Sequence, residues 1–408
     1  MDLSIGYTKA GVQTADNGNV VSLTDALGNA SQDYTMNYDQ LNRLLSWSTG
    51  GGTSCQFAID QYGNLGLSSG TGCAMLSGLS FNSNNQIVGY SYDPSGNLLT
   101  DSAGSNYTWD GNSQLVNFYT EGASGSYVYD GLLRRVEKTA DSVTTVYARD
   151  ALGNMVASLT NGVWTDYIWS NPPKAGNRVA AAPASPEAER IAAVVGSGVG
   201  TVYYFHTDQV GTTRAVTDEN GNNVATCGQN ATYPNGSFLT YGPFGMPTGC
   251  TQTATPILFT GHELDSESNL SQFQYRKYAA LEARWATPDP AGVNGPPAPS
   301  PNGFDLGITA AGAPGDLEPE SPVASLATLP GFGLPLGGVD PLEPQTWNPY
   351  AYVDGDPASG FDPDGRWNWC LTGTVVSIGL KVWGMTGNPI AFAAGWYLGG
   401  YVAFACLK

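Results

Sequence analysis

The chain has 408 residues, of which 16 are basic and 35 acidic, so its formal net charge is −19. Because nucleic-acid binding depends largely on phosphate neutralisation by Lys and Arg, this charge argues against a nucleic-acid partner. With 53 glycines, only 12% charged residues and no long runs of strong helix formers at helical spacing, the composition predicts an all-β fold.

A short phrase recurs in the first part of the chain: an aromatic residue, an aspartate, a turn of small residues and an aliphatic run. Copies or looser copies begin at Tyr38, Tyr92, Trp109, Tyr129 and Arg149. The aspartates of the last four copies are 17, 20 and 20 residues apart, a period typical of repeat architectures. Asp, Asn and Gly favour turns, and the flanking runs alternate apolar and polar residues as half-buried strands do.

Each unit therefore reads as a β-hairpin. A lone hairpin is marginal in water, so we predict that successive hairpins stack edge to edge into one long sheet, with each unit contacting mainly its neighbours. The alternative is a set of unrelated hairpins in an ordinary sandwich, which would not require a repeated phrase.

The composition changes along the chain and divides it into successive segments. We predict a hairpin strip at 1–178, a linker or loop at 179–200, further strands at 201–258, two motif-dense parts at 259–292 and 347–366, a Pro/Gly/Ala-rich insertion at 293–346 and a hydrophobic C-terminal segment at 367–408. Residues 293–345 lack Lys and Arg, and we interpret them as disordered or extended.

The six cysteines fall into local pairs: Cys55 with Cys73, Cys227 with Cys250, and Cys370 with Cys406. An even count in Gly/Ser-rich surroundings is compatible with disulfides and an oxidising compartment, and reduced cysteines are the alternative. Residues 1–20 carry no basic start followed by an apolar run, so no signal peptide is predicted. Either the true N-terminus lies upstream or export is of another kind.

The sequence implies neither a metal nor an organic cofactor. It contains two histidines, His206 and His262, which are too few for a multi-histidine metal centre, and no Gly-rich phosphate loop with a lysine. We expect both histidines to be structural.

Several stretches resemble the RHS proteins, relatives of the teneurins and of the C component of insecticidal Tc toxins. The Tyr-Asp phrases resemble their YD repeats, and residues 203–218 resemble a passage that precedes the family's core domain. Residues 259–290 resemble the RHS repeat-associated core itself, and residues 348–365 its closing end. The resemblance covers roughly residues 20–366.

The resemblance implies an all-β fold in which a spiralling antiparallel hairpin sheet forms part of a hollow shell, with the core domain as a plug. In toxin members the core is an intramolecular aspartyl protease that cuts one residue beyond the closing Asp-Pro-x-Gly motif, and the released C-terminal piece stays inside the shell. For this chain it implies a cut between Arg366 and Trp367, with the C-terminal segment as cargo. It also implies a secreted or cell-surface bacterial protein with an upstream delivery domain or secretion partner.

Two Asp-Pro-x-Gly motifs supply the candidate catalytic pair, Asp289 and Asp362. An aspartyl protease needs two carboxylates that share one proton, so that one is the base toward water while the other donates to the scissile carbonyl. Proline and glycine in each motif would hold the carboxylate on a rigid bend. We expect Asp265 and Arg276 in a supporting role, orienting a catalytic aspartate or pairing across strands.

Three observations keep a passive scaffold open as the alternative: an ordinary turn sequence and two departures from the family. Asp-Pro-x-Gly is also an ordinary β-turn sequence. The 69 residues of 293–361 exceed the family's usual short interval, although a long loop adds little closure entropy. Arg366 stands where toxin members carry leucine. The rival is therefore a non-enzymatic extracellular or cell-surface repeat protein for adhesion and for glycan or wall binding, and a degenerate relict is a third reading.

The C-terminal segment has a membrane-like composition. Residues 382–407 carry no charge, residues 389–407 approach the span of a bilayer, and Gly395 and Gly399 have the small-xxx-small spacing of packed membrane helices. One hypothesis is a membrane-active payload, since 42 residues are too few for a convincing enzyme. The alternative is an apolar segment buried in the shell or the remnant of a decayed toxin.

Overall fold

The computed structural model describes residues 3–7, 18–25, 33–73, 76–150, 153–169, 190–196, 200–222, 224, 226–227, 242–246, 250–252, 256–290, 348–362 and 364–366. These residues form antiparallel β-sheets with short 3₁₀ turns, such as Phe259–Gly261, and contain no α-helix. The all-β prediction is confirmed. In the same residues no helix is long and apolar enough to cross a membrane.

The first sheet has six strands: β1 (Leu3–Gly6), β2 (Ser22–Asp25), β3 (Tyr34–Tyr38), β4 (Leu44–Thr49), β5 (Ser54–Ile59) and β6 (Leu65–Thr71). The second has twelve: β7 (Ser91–Tyr92), β8 (Leu98–Thr100), β9 (Asn106–Trp109), β10 (Leu115–Thr120), β11 (Ala123–Tyr129), β12 (Arg135–Ala140), β13 (Val143–Arg149), β14 (Met155–Thr160), β15 (Val163–Trp169), β16 (Arg190–Val195), β17 (Thr201–Thr207) and β18 (Thr213–Asp218). Two smaller sheets follow, of β19 (Thr226–Cys227) with β20 (Cys250–Gln252), and of β21 (Glu263–Asp265), β22 (Leu270–Gln272), β23 (Lys277–Ala279) and β24 (Arg284–Trp285).

In both large sheets each strand pairs with its neighbour in the sequence, which is the arrangement predicted for stacked hairpins. One expected boundary differs. Residues 179–200 read as a linker, yet β16 lies within that range and pairs with both β15 and β17. Its sequence, Arg-Ile-Ala-Ala-Val-Val, supplies the β-branched residues that favour a strand. The surrounding residues are rich in Ala, Pro and Gly, and this composition led to the prediction of a linker.

The recurring aspartate holds each turn through its own side chain. In the turn after β11, Asp130 Oδ1 accepts the backbone N–H groups of Leu132 and Arg134, both at 2.9 Å, and Oδ2 accepts from Arg134 Nε at 2.8 Å. Leu133 takes a positive φ of 62°. The same i+4 backbone hydrogen bond occurs at other turns, including those of Asp93, Asp110 and Asp150.

In two of the phrases the aromatic residue links two hairpins. The Tyr129 hydroxyl donates to the carbonyl of Leu115 at 2.8 Å, and Trp109 Nε1 donates to the carbonyl of Leu98 at 2.6 Å. Leu115 lies at a β-bulge, where the ladder is irregular. In these two phrases the aromatic side chain therefore satisfies a carbonyl that follows the previous turn.

The core strands pack against one face of both large sheets. Trp47, Leu44 and Phe57 of the first sheet share a buried cluster with the core residues Tyr278 and Trp285. Along the second sheet, Leu115 and Tyr127 pack with Leu270 and Ala279 of the core, and Tyr147 and Met155 with Ile257. The opposite face of the second sheet carries exposed residues such as Tyr119 and Trp164.

One cysteine pairing is confirmed: Cys55 and Cys73 form a disulfide. Cys227 and Cys250 occupy opposite positions in the register of β19 and β20. The third predicted pair, Cys370 with Cys406, lies outside the described residues, as do the insertion at 293–345 and the C-terminal segment at 367–408.

Candidate active site

The structure brings both predicted catalytic aspartates to one guanidinium nitrogen. Arg276 Nη2 lies 2.8 Å from Asp289 Oδ2 and 2.8 Å from Asp362 Oδ2. The two carboxylate oxygens are therefore at most twice that distance apart. No sequence proximity accounts for this, because residues 293–361 separate the two motifs.

Asp289 is held by its backbone at the end of the four-stranded sheet. It follows β24, and its N–H donates to the carbonyl of Pro349 at 3.0 Å. The same Pro349 carbonyl accepts from Arg276 Nη1 at 3.3 Å. The side chain of Asp289 is 22% exposed, so water reaches this carboxylate.

Asp362 is held inside a tight turn. Its Oδ1 accepts the backbone N–H of Gly365 at 2.8 Å and that of Arg366 at 3.3 Å. Gly365 has a φ of 86°, and a Cβ there would lie 3.1 Å from the backbone nitrogen of Arg276 and 3.2 Å from the Phe273 Cβ. Glycine suits this position, because the left-handed backbone conformation strains other residues and a Cβ would crowd its neighbours.

Arg276 is anchored on every side. It is buried, its Nε donates to the carbonyl of Gly365, and its Cζ lies 4.1 Å from the centre of a Trp285 ring. A planar guanidinium that is stacked and hydrogen-bonded in this way loses little further freedom when it contacts two carboxylates. It therefore keeps Asp289 and Asp362 in a defined mutual geometry.

The two carboxyl groups have different surroundings. Burial raises the pKa of Asp362 to about 6, against the opposing influence of Arg276, and the nearby Asp364 and Asp289 carboxylates add to the increase. Asp362 is 2% exposed, whereas Asp289 faces solvent. A buried carboxyl with a raised pKa suits a proton donor, and a partly hydrated carboxylate suits a base.

Arg366, the predicted residue before the cut, lies beside this pair. Its Nε and Nη2 contact Asp364 Oδ2 at 2.9 and 2.7 Å, and its guanidinium stacks on the ring of Tyr275 at 3.9 Å. Trp367, the residue after the predicted cut, lies outside the described residues.

Asp265 lies apart from this pair. It is fully buried, and it forms ion pairs with Arg135 at 2.6 Å and Lys138 at 2.9 Å, both on β12. Glu263 contacts the same two cations, at 2.9 and 3.1 Å. Of the two supporting roles expected for Asp265, the contacts therefore correspond to pairing between strands, here between the core and the large sheet, and not to orienting Asp289 or Asp362.

Sequence reasoning missed the partners of Asp265 because of a β-bulge. Residues 135 and 138 point to opposite faces of a regular strand. The register shift between β11 and β12 adds one residue, so that Arg135 and Lys138 both face the core. The sequence did contain one signal for this contact. Arg135 and Lys138 are two of only 16 basic residues in the chain, and they stand close together.

Each histidine has a local partner. His206 Nε2 lies 3.0 Å from Thr217 Oγ1, and burial lowers the pKa of His206. His262 Nδ1 lies 3.1 Å from Thr260 Oγ1, and its ring stacks on Phe273.

Comparison with known proteins agrees with this architecture. A family model described as "RHS protein" matches residues 202–224. Double-stranded DNA deaminase toxin A of Burkholderia cenocepacia (strain H111) is 27% identical over 309 residues, which is 68% of this chain and 20% of that protein.

Two solved structures share the fold. The crystal structure of TcdB2-TccC3-Cdc42 has a TM-score of 0.55 at 15% identity. The match covers 89% of this chain and 17% of the chain in that structure. A Photorhabdus luminescens Tc holotoxin pore has a TM-score of 0.53 at 14% identity and covers 89% of this chain and 16% of its own. The chain thus spans about a fifth of the curated relative and less of the solved chains.

Proposed function

We propose that this RHS-repeat chain, which has the β-sheet fold of the TcdB2-TccC3 shell, cuts itself between Arg366 and Trp367. Asp289 and Asp362 are the catalytic carboxylates, and Arg276 is the residue that positions them. The observation that supports this most is the contact of both carboxylates with one guanidinium nitrogen. An ordinary turn aspartate would bond its own backbone and would need no partner from a distant motif.

The proposed reaction adds water across one peptide bond. Asp289, as carboxylate, takes a proton from water while the water oxygen attacks the carbonyl carbon of Arg366. Asp362, as carboxylic acid, donates its proton to the carbonyl oxygen. The tetrahedral intermediate then breaks its C–N bond, and the proton held by Asp289 passes to the leaving nitrogen of Trp367. The hydroxyl proton returns to Asp362, which restores the starting state.

The products are a β-sheet shell that ends at Arg366 and the segment 367–408 as its cargo. We propose a bacterial secreted or cell-surface setting, with an upstream delivery domain or secretion partner and a membrane as the target of the segment. Three features support this: the apolar composition of residues 382–407, the RHS segment and the Tc-toxin fold.

Intact mass spectrometry of the purified chain tests the reaction. We expect a fragment that begins at Trp367, and we expect Asp289→Asn to abolish it. Asp218→Asn is the matched control, because Asp218 is an aspartate in an exposed turn that bonds only its own hairpin. An uncut wild-type chain at both neutral and mildly acidic pH would remove the protease proposal.

A second candidate is adhesion without catalysis. Tyr119, Trp164 and Tyr204 are 63%, 44% and 44% exposed on the second sheet, and exposed aromatic rings of this kind suit stacking on sugar rings. Glycan-array binding by an uncut chain, lost in Trp164→Ala, would favour this function over self-cleavage.

A further inference from the structure

We propose that Tyr275 and Asp364 form a clamp for the Arg366 side chain, and that this clamp selects the bond that is cut. The inference rests on the proposed self-cleavage. It makes the site specific for a cationic side chain before the cut, at the position where the family resemblance implies leucine.

The clamp encloses the guanidinium from two directions. Arg366 Nε and Nη2 both contact Asp364 Oδ2, at 2.9 and 2.7 Å. The Cζ atom lies 3.9 Å from the centre of the Tyr275 ring, well inside the range of a cation–π contact. The Arg366 side chain is only 11% exposed, so both contacts are largely shielded from water.

The clamp is tied to the rest of the protein. The Tyr275 N–H donates to the carbonyl of Asp364 at 3.0 Å, which joins the two halves of the clamp. Gln274 Nε2 lies 3.2 Å from the Tyr275 hydroxyl and 2.9 Å from the carbonyl of Leu132, in a turn of the second sheet. Gln114 Nε2 contacts the Tyr275 carbonyl at 3.3 Å.

The clamp and the catalytic pair meet in one residue. The Arg366 N–H lies 3.3 Å from Asp362 Oδ1, while its side chain occupies the clamp. A displacement of the side chain would move the backbone beside Asp362, and small misplacements of a reacting group carry large rate penalties. Leucine could make neither the ion pair nor the cation–π contact.

Limited trypsin digestion tests the clamp without relying on self-cleavage. Trypsin needs a free arginine side chain, so the uncut Asp289→Asn chain should resist cleavage after Arg366. Adding Asp364→Asn or Tyr275→Leu should speed that cut about tenfold or more, as expected for loss of a shielded charge contact. Tyr275→Phe keeps the ring and should retain the protection. Equal rates in all four chains would overturn the clamp.

The same substitutions in the otherwise wild-type chain test its role in the reaction. We expect Asp364→Asn and Tyr275→Leu to slow release of the fragment about tenfold and to produce fragments that begin away from Trp367, with Tyr275→Phe close to wild type. Unfolding midpoints identify variants that lose the fold. A wild-type chain that stays whole but resists trypsin would remove the protease proposal and the selecting role of the clamp, and would leave the contacts of the clamp with Arg366 in place. Self-cleavage at an unchanged rate and position in both variants would remove the clamp alone.

Discussion

The backbone N–H of Asp289 donates to the carbonyl of Pro349 at 3.0 Å, so the two ends of the long Pro/Gly/Ala-rich interval lie side by side. This contact answers the concern raised by the interval's length. Because the chain leaves and returns at adjacent points, the number of residues between the two motifs has little bearing on the distance between their carboxylates.

Replacement of residues 293–345 by a short Gly/Ser linker should therefore preserve self-cleavage. Each halving of the loop length lowers the entropic cost of closing the loop by roughly 0.6 kcal/mol, so the free energy of unfolding should stay the same or rise slightly. Intact mass and urea unfolding of the shortened chain check both points. Loss of the Trp367 fragment in a stably folded variant would show that the interval contributes to the site.

Self-cleavage should be faster in mild acid. The pKa of Asp362 is raised to about 6 by burial, so the fraction of protonated Asp362 falls as pH rises above that value. If Asp362 is the proton donor, the first-order rate should fall about tenfold per pH unit well above pH 6. Time courses of fragment release between pH 5 and pH 8 measure this. A rate that increases with pH over this range would contradict the assigned role.

Removal of the Asp265 carboxylate should strongly destabilise the chain. Asp265→Asn leaves the buried Arg135 and the largely buried Lys138 with Glu263 as their main remaining counter-charge, and breaking a buried pair costs about 3–5 kcal/mol. Glu137→Gln on the same strand is the control, with an expected change within about 0.5 kcal/mol. Urea unfolding at pH 7 compares the two variants. Equal effects would mean that the cluster does not join core and sheet.

The aromatic residue of the repeat should contribute through its hydroxyl. Tyr129→Phe removes the hydrogen bond to the Leu115 carbonyl and should lower the free energy of unfolding by about 1 kcal/mol. Tyr119→Phe, which changes a 63% exposed ring on the neighbouring strand, should have little effect. Thermal unfolding of both variants supplies the comparison, and a neutral Tyr129→Phe would make the aromatic residue a packing element only.

Lys277 should be a source of instability. It is fully buried on β23 with one acceptor, Gln114 Oε1 at 3.4 Å, and with the Tyr129 ring at 5.1 Å. Burial lowers its pKa from 10.5 to about 7, and the positive charge of Arg135 acts in the same direction, while Asp265 and Asp110 oppose it. Lys277→Met should therefore raise the free energy of unfolding at pH 7 by on the order of 4 kcal/mol.

The sign of the pH effect follows from proton uptake. Between pH 7 and 10.5 the unfolded chain binds a proton at Lys277 that the folded chain does not, so wild-type stability rises with pH in this window. The advantage of Lys277→Met should accordingly shrink from pH 7 to pH 10 and stay constant below pH 7. An advantage independent of pH across both ranges would show that the lysine is already charged when folded.

The sequence predicted the elements that depend on neighbouring residues. The turns of Asp110 and Asp130 are closed by the aspartate itself, which bonds residues two and four positions later, and the Cys55–Cys73 disulfide joins a local pair. Local alternation does not predict that Arg135 and Lys138 share a face, because the bulge lies between them. The Ala/Pro/Gly-rich composition of residues 179–200 also led us to predict a linker where β16 lies.

The amino-acid sequence by itself determined the hairpins, their order and the two motifs that carry Asp289 and Asp362, because hydrogen bonds within a few residues encode them. Only the tertiary structure decided that Arg276 contacts both aspartates, that Asp265 pairs with β12 and that Lys277 is buried beside Tyr129. Such contacts depend on how many twisted strands stack and on where the core strands lie against them, and no short stretch of sequence specifies that sum.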